Sequence, residues 1–393
     1  MDDKRPEDTT LSYGEKKQKK FLKNMGIVFG SIIALIVLVV VLLQITPVAN
    51  WFADFFKPDV NDGRGGVFTG ETDKSGSDKT PGIGVGVDSE TEFNFLVVGH
   101  DRAANLADVT MLINFDTKKG TVNIMQIPRD TYVDYDGYWY HKANGVYSYY
   151  IDNESENPEL EGIKGYAEFL EKNLCVEIDY YAIMDLDQFV NIIDALGGVE
   201  IDVPFDMYYR DPHQNLTINL KAGHQVLNGA QSEQFVRYRS TYVQGDIGRG
   251  NMQKVFMAAL FKTVKEKVNI FNISELCSII NENLVTNMST SDMIYFANYA
   301  FKVDLKYVAM MTLPGKPASL GDGLSYYCAN KEATLRYINA YFNIYNTEVT
   351  EDMFDKDHIF DCGGYIYTSP ASEVEGIIYD AAALADGDEL PPT

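Results

Sequence analysis

"FNFLVVGHDRAANLADVTMLINFDTKKGTVNIMQIPRDT", Phe93 to Thr131, decides how this chain folds. Three apolar runs, Phe93–Gly99, Val109–Phe115 and Thr121–Ile127, read as strands. A polar connection and the turn DTKKG separate them, and Pro128, which cannot donate to a sheet ladder, stops the third. Connections this short favour antiparallel neighbours. The first strand then ends where the second begins, and the third returns to the same edge. Asp101, Arg102, Asp108 and Arg129 therefore converge at one end of the sheet.

Downstream, "DLDQFVNIIDALGGVEIDV" (Asp185–Val203) reads as a helix carrying Phe189, Ile192, Ile193 and Leu196 on one face, closed by Gly197 and followed by a strand over Val199–Val203. Ala230–Tyr238 is helical and leads into Arg237 and Arg239. A second helix starts near Asp246 and runs to about Val268; in it Arg249 and Gln253 stand four apart and share a face. Helices alternating with strands indicate a mixed, layered α/β domain.

Upstream lies "GIVFGSIIALIVLVVVLLQI", Gly26–Ile45, which at about 1.5 Å per residue spans roughly 30 Å of hydrocarbon. A transmembrane helix is predicted over 25–46. Lys16, Lys17, Lys19, Lys20 and Lys23 crowd its N-terminal flank, while no positive charge follows it until Lys57, so the N-terminus is expected in the cytoplasm and the remainder outside. This gives a basic tail over 1–24, a Gly/Ser/Asp-rich spacer over 47–91, a folded domain over 92–345 with its motifs in 93–268, and a partly disordered extension over 346–393. Cys175, Cys277, Cys328 and Cys362 all fall on the external side; four cysteines allow three pairings, and spacing does not choose among them.

A net charge of −24 excludes general binding to nucleic acid or anionic lipid, which needs an extended basic face. Any anion site must be local. Of 33 basic residues only nine are arginine, and five of these, Arg102, Arg129, Arg237, Arg239 and Arg249, sit in the stretches above. Lysine serves solubility anywhere, whereas planar bidentate contact to phosphate favours arginine. Salt bridges to an acidic surface would explain the same count.

The order G-x-D-R, D-x-T-M, IPRDT, HKAN, DALGGV, VRYR and GD-x-x-R-x-x-x-Q resembles the LytR-CpsA-Psr family of bacterial cell-wall enzymes, from about Phe93 to Val268 and more loosely to Tyr345. The resemblance implies a mixed central β-sheet with helices on both faces, an α-β-α sandwich. It implies extracytoplasmic phosphotransfer, in which an anionic glycopolymer of teichoic acid or capsular type passes from an undecaprenyl-pyrophosphate carrier to peptidoglycan. Asp101 and Asp108 match the acidic pair that holds Mg²⁺, with Mn²⁺ as the alternative ion. Arg129, Arg237, Arg239 and Arg249 match the arginines around the phosphates, and Gln253 a polar contact beside them. Lys142 and Asn144 fall in the K-x-N segment, with a structural or a ligand role. Such catalysis rests on positioning and charge neutralisation and needs no nucleophilic triad.

Two positions depart from the family pattern. Leu106 stands where an arginine usually precedes the second aspartate, and "MQK", Met252–Lys254, replaces the usual RQQ. Arg102 is expected to swing in and fill the missing place, or else the donor is weakly held or a different donor is used. Apolar faces such as Phe189, Ile192 and Ile193 offer a lining for a polyprenyl tail, or ordinary core. "TYVDYDGYWYHKANGVYSYY" (Thr131–Tyr150), with seven tyrosines and Trp139, offers a platform for sugar rings, or tyrosines packed on their own sheet. The alternatives to a transferase are a non-catalytic wall-polymer scaffold and a Mg²⁺-dependent polyprenyl pyrophosphatase.

Overall fold

The computed structural model describes residue 57 and most of 91–392, leaving aside 103, 135–137, 139, 213–215, 243–244, 269–272, 320–322, 346, 355–358, 361, 363–366 and 369–377. The expected basic tail and apolar span, nearly all of the spacer, Tyr135 and Trp139 lie outside the described residues. Among the described residues no helix is long and apolar enough to cross a membrane. The elements below belong to the unit Pro58–Thr393.

Strands β1 (Glu92–Asp101), β2 (Leu106–Asp116) and β3 (Thr121–Ile127) form the antiparallel meander expected from the sequence. The chain continues through α1 (Pro158–Leu174), β4 (Tyr180–Met184), α2 (Leu186–Ala195) and β5 (Val199–Val203). The hairpin β6 (Met207–Asp211) and β7 (Leu216–Leu220) follows, then β8 (Gly223–Leu227), α3 (Gly229–Arg237) and α4 (Asp246–Lys267). Next come β9 (Val285–Thr286), α5 (Thr290–Ala300), β10 (Val308–Thr312), β11 (Gly315–Ser319), β12 (Ser325–Ala329), α6 (Lys331–Tyr341), β13 (Tyr367–Thr368), β14 (Ile378–Asp380) and α7 (Ala381–Asp386).

The main sheet has the order β14-β10-β3-β2-β1-β4-β9 and is mixed: β1 runs parallel to β4 and β3 to β10, while the other neighbours are antiparallel. Side chains alternate across it, and each face carries helices. On one face Leu96, Val98, Leu112, Met125 and Ile127 join the core with Ile163, Tyr166 and Leu170 of α1 and Ile338 of α6. Asn94, Asn114 and Asn123 stand in register on this face and bond side chain to side chain, Asn114 Nδ2 donating to Asn94 Oδ1 at 3.1 Å. Asn94 and Asn123 also donate to the carbonyls of Phe342 and Tyr341, which pins the end of α6. On the opposite face Phe93, Phe95 and Phe115 pack edge-on or tilted against Phe296 of α5, and Gln126 meets α4.

Beyond the expected boundary at residue 345 the chain returns to the domain. β14 pairs with the edge strand β10, α7 packs on α4, and a disulfide ties Cys362 to Cys328 of β12, while Cys175 and Cys277 are buried outside that bond. Three residues of strand are too few to show an alternating pattern, so no local signal announces the return.

Candidate active site

The ladder between β1 and β2 pairs Gly99 with Val109 but His100 with Ala107, so Asp108 is an extra residue in β2. Strict alternation would point it to the face of Thr110 and Leu112. The bulge instead sends Ala107 into that core, opposite buried His100, and frees Asp108 to turn toward β3. There Asp108 Oδ1 accepts from Arg129 Nη1 at 2.9 Å. Arg129 follows Pro128 at the end of β3, and the loop that carries it is braced by HKAN. The Asn144 amide donates to the Arg129 carbonyl (3.1 Å), and Lys142 Nζ donates to Asp130 Oδ1 (2.7 Å).

Helix α4 supplies the other half. Its first residue, Asp246, places Oδ1 3.2 Å from Arg129 Nε and 2.9 Å from Arg249 Nη2, so one carboxylate holds two guanidiniums. Asp108, Gln126, Arg129, Asp246, Arg249, Gln253 and Thr312 line one cavity, together with Gly250 and the backbone around Pro128. It opens at the first turn of α4, where unpaired amides and the helix dipole favour an anion. A Cβ at Gly250 would come within 2.7 Å of Gln126 Oε1, so glycine there admits the glutamine; Gln126 Nε2 donates to Gln253 Oε1 at 2.8 Å.

Burial acts to lower the Arg129 pKa, but Asp246, Asp108 and Asp130 outweigh it and hold the group above the ordinary arginine value. For Arg249 burial prevails: the pKa is lowered, with Arg129 and Arg239 adding and Asp246 and Asp108 opposing. The Nε atoms of both arginines are buried and have no acceptor in hydrogen-bonding geometry. Donors so placed are costly unless something accepts from them.

The remaining residues read from the sequence lie around this cavity or away from it. Asp101 pairs with Leu106, two residues before Asp108 on β2 and just past the cavity lining; both hold register positions on the cavity's face of the sheet. Arg102 goes to the other side. Its guanidinium contacts Asp185, the N-cap of α2, at 3.1 Å and Glu159 of α1 at 3.5 Å, so the expectation that it fills the place left by Leu106 is not met in this arrangement. Arg237 ends α3 with its guanidinium 2.6 Å from Glu233, and Arg239 is exposed beyond it, near enough for Arg249 to feel its charge. Of the tyrosine-rich segment, Tyr132, Tyr138 and Tyr147 are buried and Tyr149 is exposed. Gln126 and Thr312 carry no role in the sequence reading, and Asp246 enters it only as a helix start and as the Asp of GD-x-x-R-x-x-x-Q, without a site role. Gln126 had a signal, a polar side chain in an apolar strand beside the stopping proline; Thr312 had none.

Mg²⁺ takes oxygen ligands and is commonly held by one or two carboxylates together with substrate phosphates. Asp108 fits that role, being partly exposed in the lining with one oxygen on Arg129. Among the described residues no group of three or more His, Cys, Asp or Glu side chains forms a complete protein cage.

A family model, LytR_cpsA_psr, matches residues 68–342. The polyisoprenyl-teichoic acid–peptidoglycan teichoic acid transferase TagV of Bacillus subtilis is 28% identical over 225 residues, covering 56% of this chain and 55% of that protein. The regulatory protein MsrR of Staphylococcus aureus is 29% identical over 236 residues, 58% of this chain and 67% of that one. The chain thus spans little more than half the length of the first of these relatives. Among solved structures, B. subtilis TagV superposes with a TM-score of 0.52 at 25% identity, covering 63% of this chain and 94% of that one. TagT bound to LIIa-WTA superposes with a TM-score of 0.51 at 22% identity, over 65% and 92%, a likeness of fold.

Proposed function

From the premise that this chain belongs to the LytR-CpsA-Psr family, we propose that the cavity between β3 and α4 binds the pyrophosphate of a polyprenyl-linked anionic glycopolymer and transfers the polymer to peptidoglycan. The observation that carries the reading is the pair Arg129 and Arg249, locked to one carboxylate at a helix N-terminus, with the Arg249 Nε–H without an acceptor and the Arg129 Nε–H facing Asp246 out of hydrogen-bonding geometry. Such a pair is preorganised for phosphate oxygens and costs little rearrangement when they arrive.

In the proposed reaction an acceptor hydroxyl of peptidoglycan attacks the phosphorus that carries the glycopolymer. The bond from that phosphorus to the bridging oxygen breaks, polyprenyl monophosphate leaves, and the hydroxyl proton passes to solvent. Arg129 and Arg249 stabilise charge on the phosphoryl oxygens, and Gln253 orients the group. Asp108 is the residue we assign to Mg²⁺ (or Mn²⁺), with Asp101 one step further out; a bound ion would supply further charge neutralisation at the pyrophosphate. We also propose that the apolar span anchors the chain in the cell membrane with this domain outside.

The test incubates the purified full-length chain with a lipid-linked glycopolymer donor and peptidoglycan fragments. A phosphodiester joining the two, with release of polyprenyl monophosphate, supports the transferase. Release of polymer phosphate regardless of acceptor would make it a pyrophosphatase, and absence of any turnover would favour a scaffold.

A further inference from the structure

Lys254 is only 3% exposed on α4. Its Nζ donates to Thr312 Oγ1 at 2.7 Å, Asn251 Oδ1 at 3.1 Å and Gln126 Oε1 at 3.2 Å. All three acceptors are neutral, and among the described residues no carboxylate pairs with this ammonium; burial alone pushes it down to about 7. A buried ammonium without an opposite charge is expensive, and chains keep one where it has a use.

Its partners accommodate either protonation state. Gln126 must present its oxygen, because its Nε2 donates to Gln253; Asn251 must too, because its Nδ2 donates to the Pro392 carbonyl at 2.7 Å. The Thr312 hydroxyl can accept from an ammonium or donate to an amine lone pair. Loss or gain of the third proton therefore leaves every group bonded.

Gln126, Gln253 and Thr312 are also the polar wall of the cavity, so Lys254 stands one side chain behind it. In the cavity itself two guanidiniums, Arg129 and Arg249, face two carboxylates, Asp108 and Asp246, and these charges cancel. A pyrophosphate diester brings two negative charges into that balance. We propose that Lys254 is a positioning residue that takes up a proton as the anionic donor enters, so that donor binding is linked to pH. The inference rests on the reading of the cavity as a pyrophosphate site.

The groups facing Lys254 leave it as the one to titrate near neutrality. β3 offers the Gln126 amide, β10 the Thr312 hydroxyl, and the C-terminal segment a backbone carbonyl through Asn251. α3 offers the Val236 carbonyl through Gln253, with the Glu233–Arg237 pair beyond it. Asp246 and Arg249 of its own helix, with Asp108 and Arg129, are ion-paired to each other. Since binding raises the affinity of Lys254 for its proton, donor affinity is full below about 7 and falls as pH rises through that value.

The experiment is calorimetric titration of a soluble pyrophosphate diester, carrying a short isoprenyl chain and one sugar, into the full-length chain in detergent at fixed Mg²⁺. It runs from pH about 6 to about 9 in buffers of different ionisation enthalpy. Expected is a Kd constant at the acid end that weakens toward about tenfold per pH unit above neutrality, with net proton uptake approaching one per donor. Lys254→Gln and Lys254→Met should give flat profiles without uptake. Tight, pH-independent binding by the unaltered protein, or undiminished uptake in Lys254→Gln, overturns the proposal and leaves the pyrophosphate reading standing. Absence of binding at every pH overturns both.

Discussion

Arg102 and Arg129 stand at the same end of the sheet, each on a strand-ending turn, yet they reach opposite faces. Arg129 is drawn into Asp108, Asp246 and through it Arg249, a half-buried cluster that shares one cavity with the start of α4. Arg102 is spent on Asp185 and Glu159 at the starts of α2 and α1, around buried His100, and remains 60% exposed. Charge and residue type are alike in the two places. What separates them is the bulge at Asp108 and which helix covers each face, and the lesson is that the fold gives like side chains unlike surroundings: one guanidinium is half-buried in the wall of a cavity, the other lies exposed over two helix starts.

The sharpest way to break this contrast is Arg129→Ala. It should lower transfer by about 100-fold or more, the loss of about 3 kcal/mol of transition-state stabilisation, with a near-normal thermal midpoint. A wild-type rate would remove the cluster from the chemistry. Next, Asp108→Asn should raise the Mg²⁺ concentration needed for half-maximal activity about tenfold, and Asp101→Asn by less, since only Asp108 lines the cavity. Equal effects, measured by metal titration of activity, would put both on the ion.

Gly250→Ala tests the wall. The added methyl must displace Gln126 from its place between Lys254 and Gln253, so donor binding should weaken several-fold to about tenfold. The helix itself should lose nothing, because alanine favours helix over glycine by about 0.5–1 kcal/mol. Calorimetric affinity beside a melting curve separates the two.

Each arginine group sets at least one cation against its carboxylates, whereas Glu171 of α1 is buried with no cation paired to it among the described residues. Burial raises its pKa to about 8, with Glu177, Glu168 and Asp179 adding, although the Ile178 amide donates to it at 2.8 Å. A folded-state pKa above the unfolded one means stability that is complete below about 4.5 and lost as pH rises through about 8. Glu171→Gln should therefore raise the melting temperature at pH about 8.5, by about 1–2 kcal/mol of stability, and change little at pH about 5. A gain equal at both values would sink the assignment. The smallest effect belongs to Arg102→Ala, which should change donor affinity by less than about threefold, an exposed ion pair being worth little. A larger loss, measured by the same titration, would mean that Arg102 reaches the cavity after all.

The meander, the helices after it and the convergence of Asp108 with Arg129 were legible in the sequence, because apolar runs of period two and stops such as Pro128 act over a few residues. So was the family, carried by the spacing of IPRDT, VRYR and the Asp-Arg-Gln motif. Other features were decided only by the tertiary structure. The bulge at Asp108 depends on how two strands register. Arg102 turns away because two helix starts, 57 and 83 positions on in the chain, bring Glu159 and Asp185 to it. Asp246 is the hinge of the cluster because α4 begins against β3, and β14 counts as sheet only because β10 offers it an edge. Lys254 looked like a lapse from a motif, and burial against Gln126 and Thr312, contributed by two other strands, makes it a titratable group. Local pattern fixes where the chain bends and which side chains could do chemistry; desolvation and the choice of partner arise from segments far apart in the chain, and no local pattern encodes them.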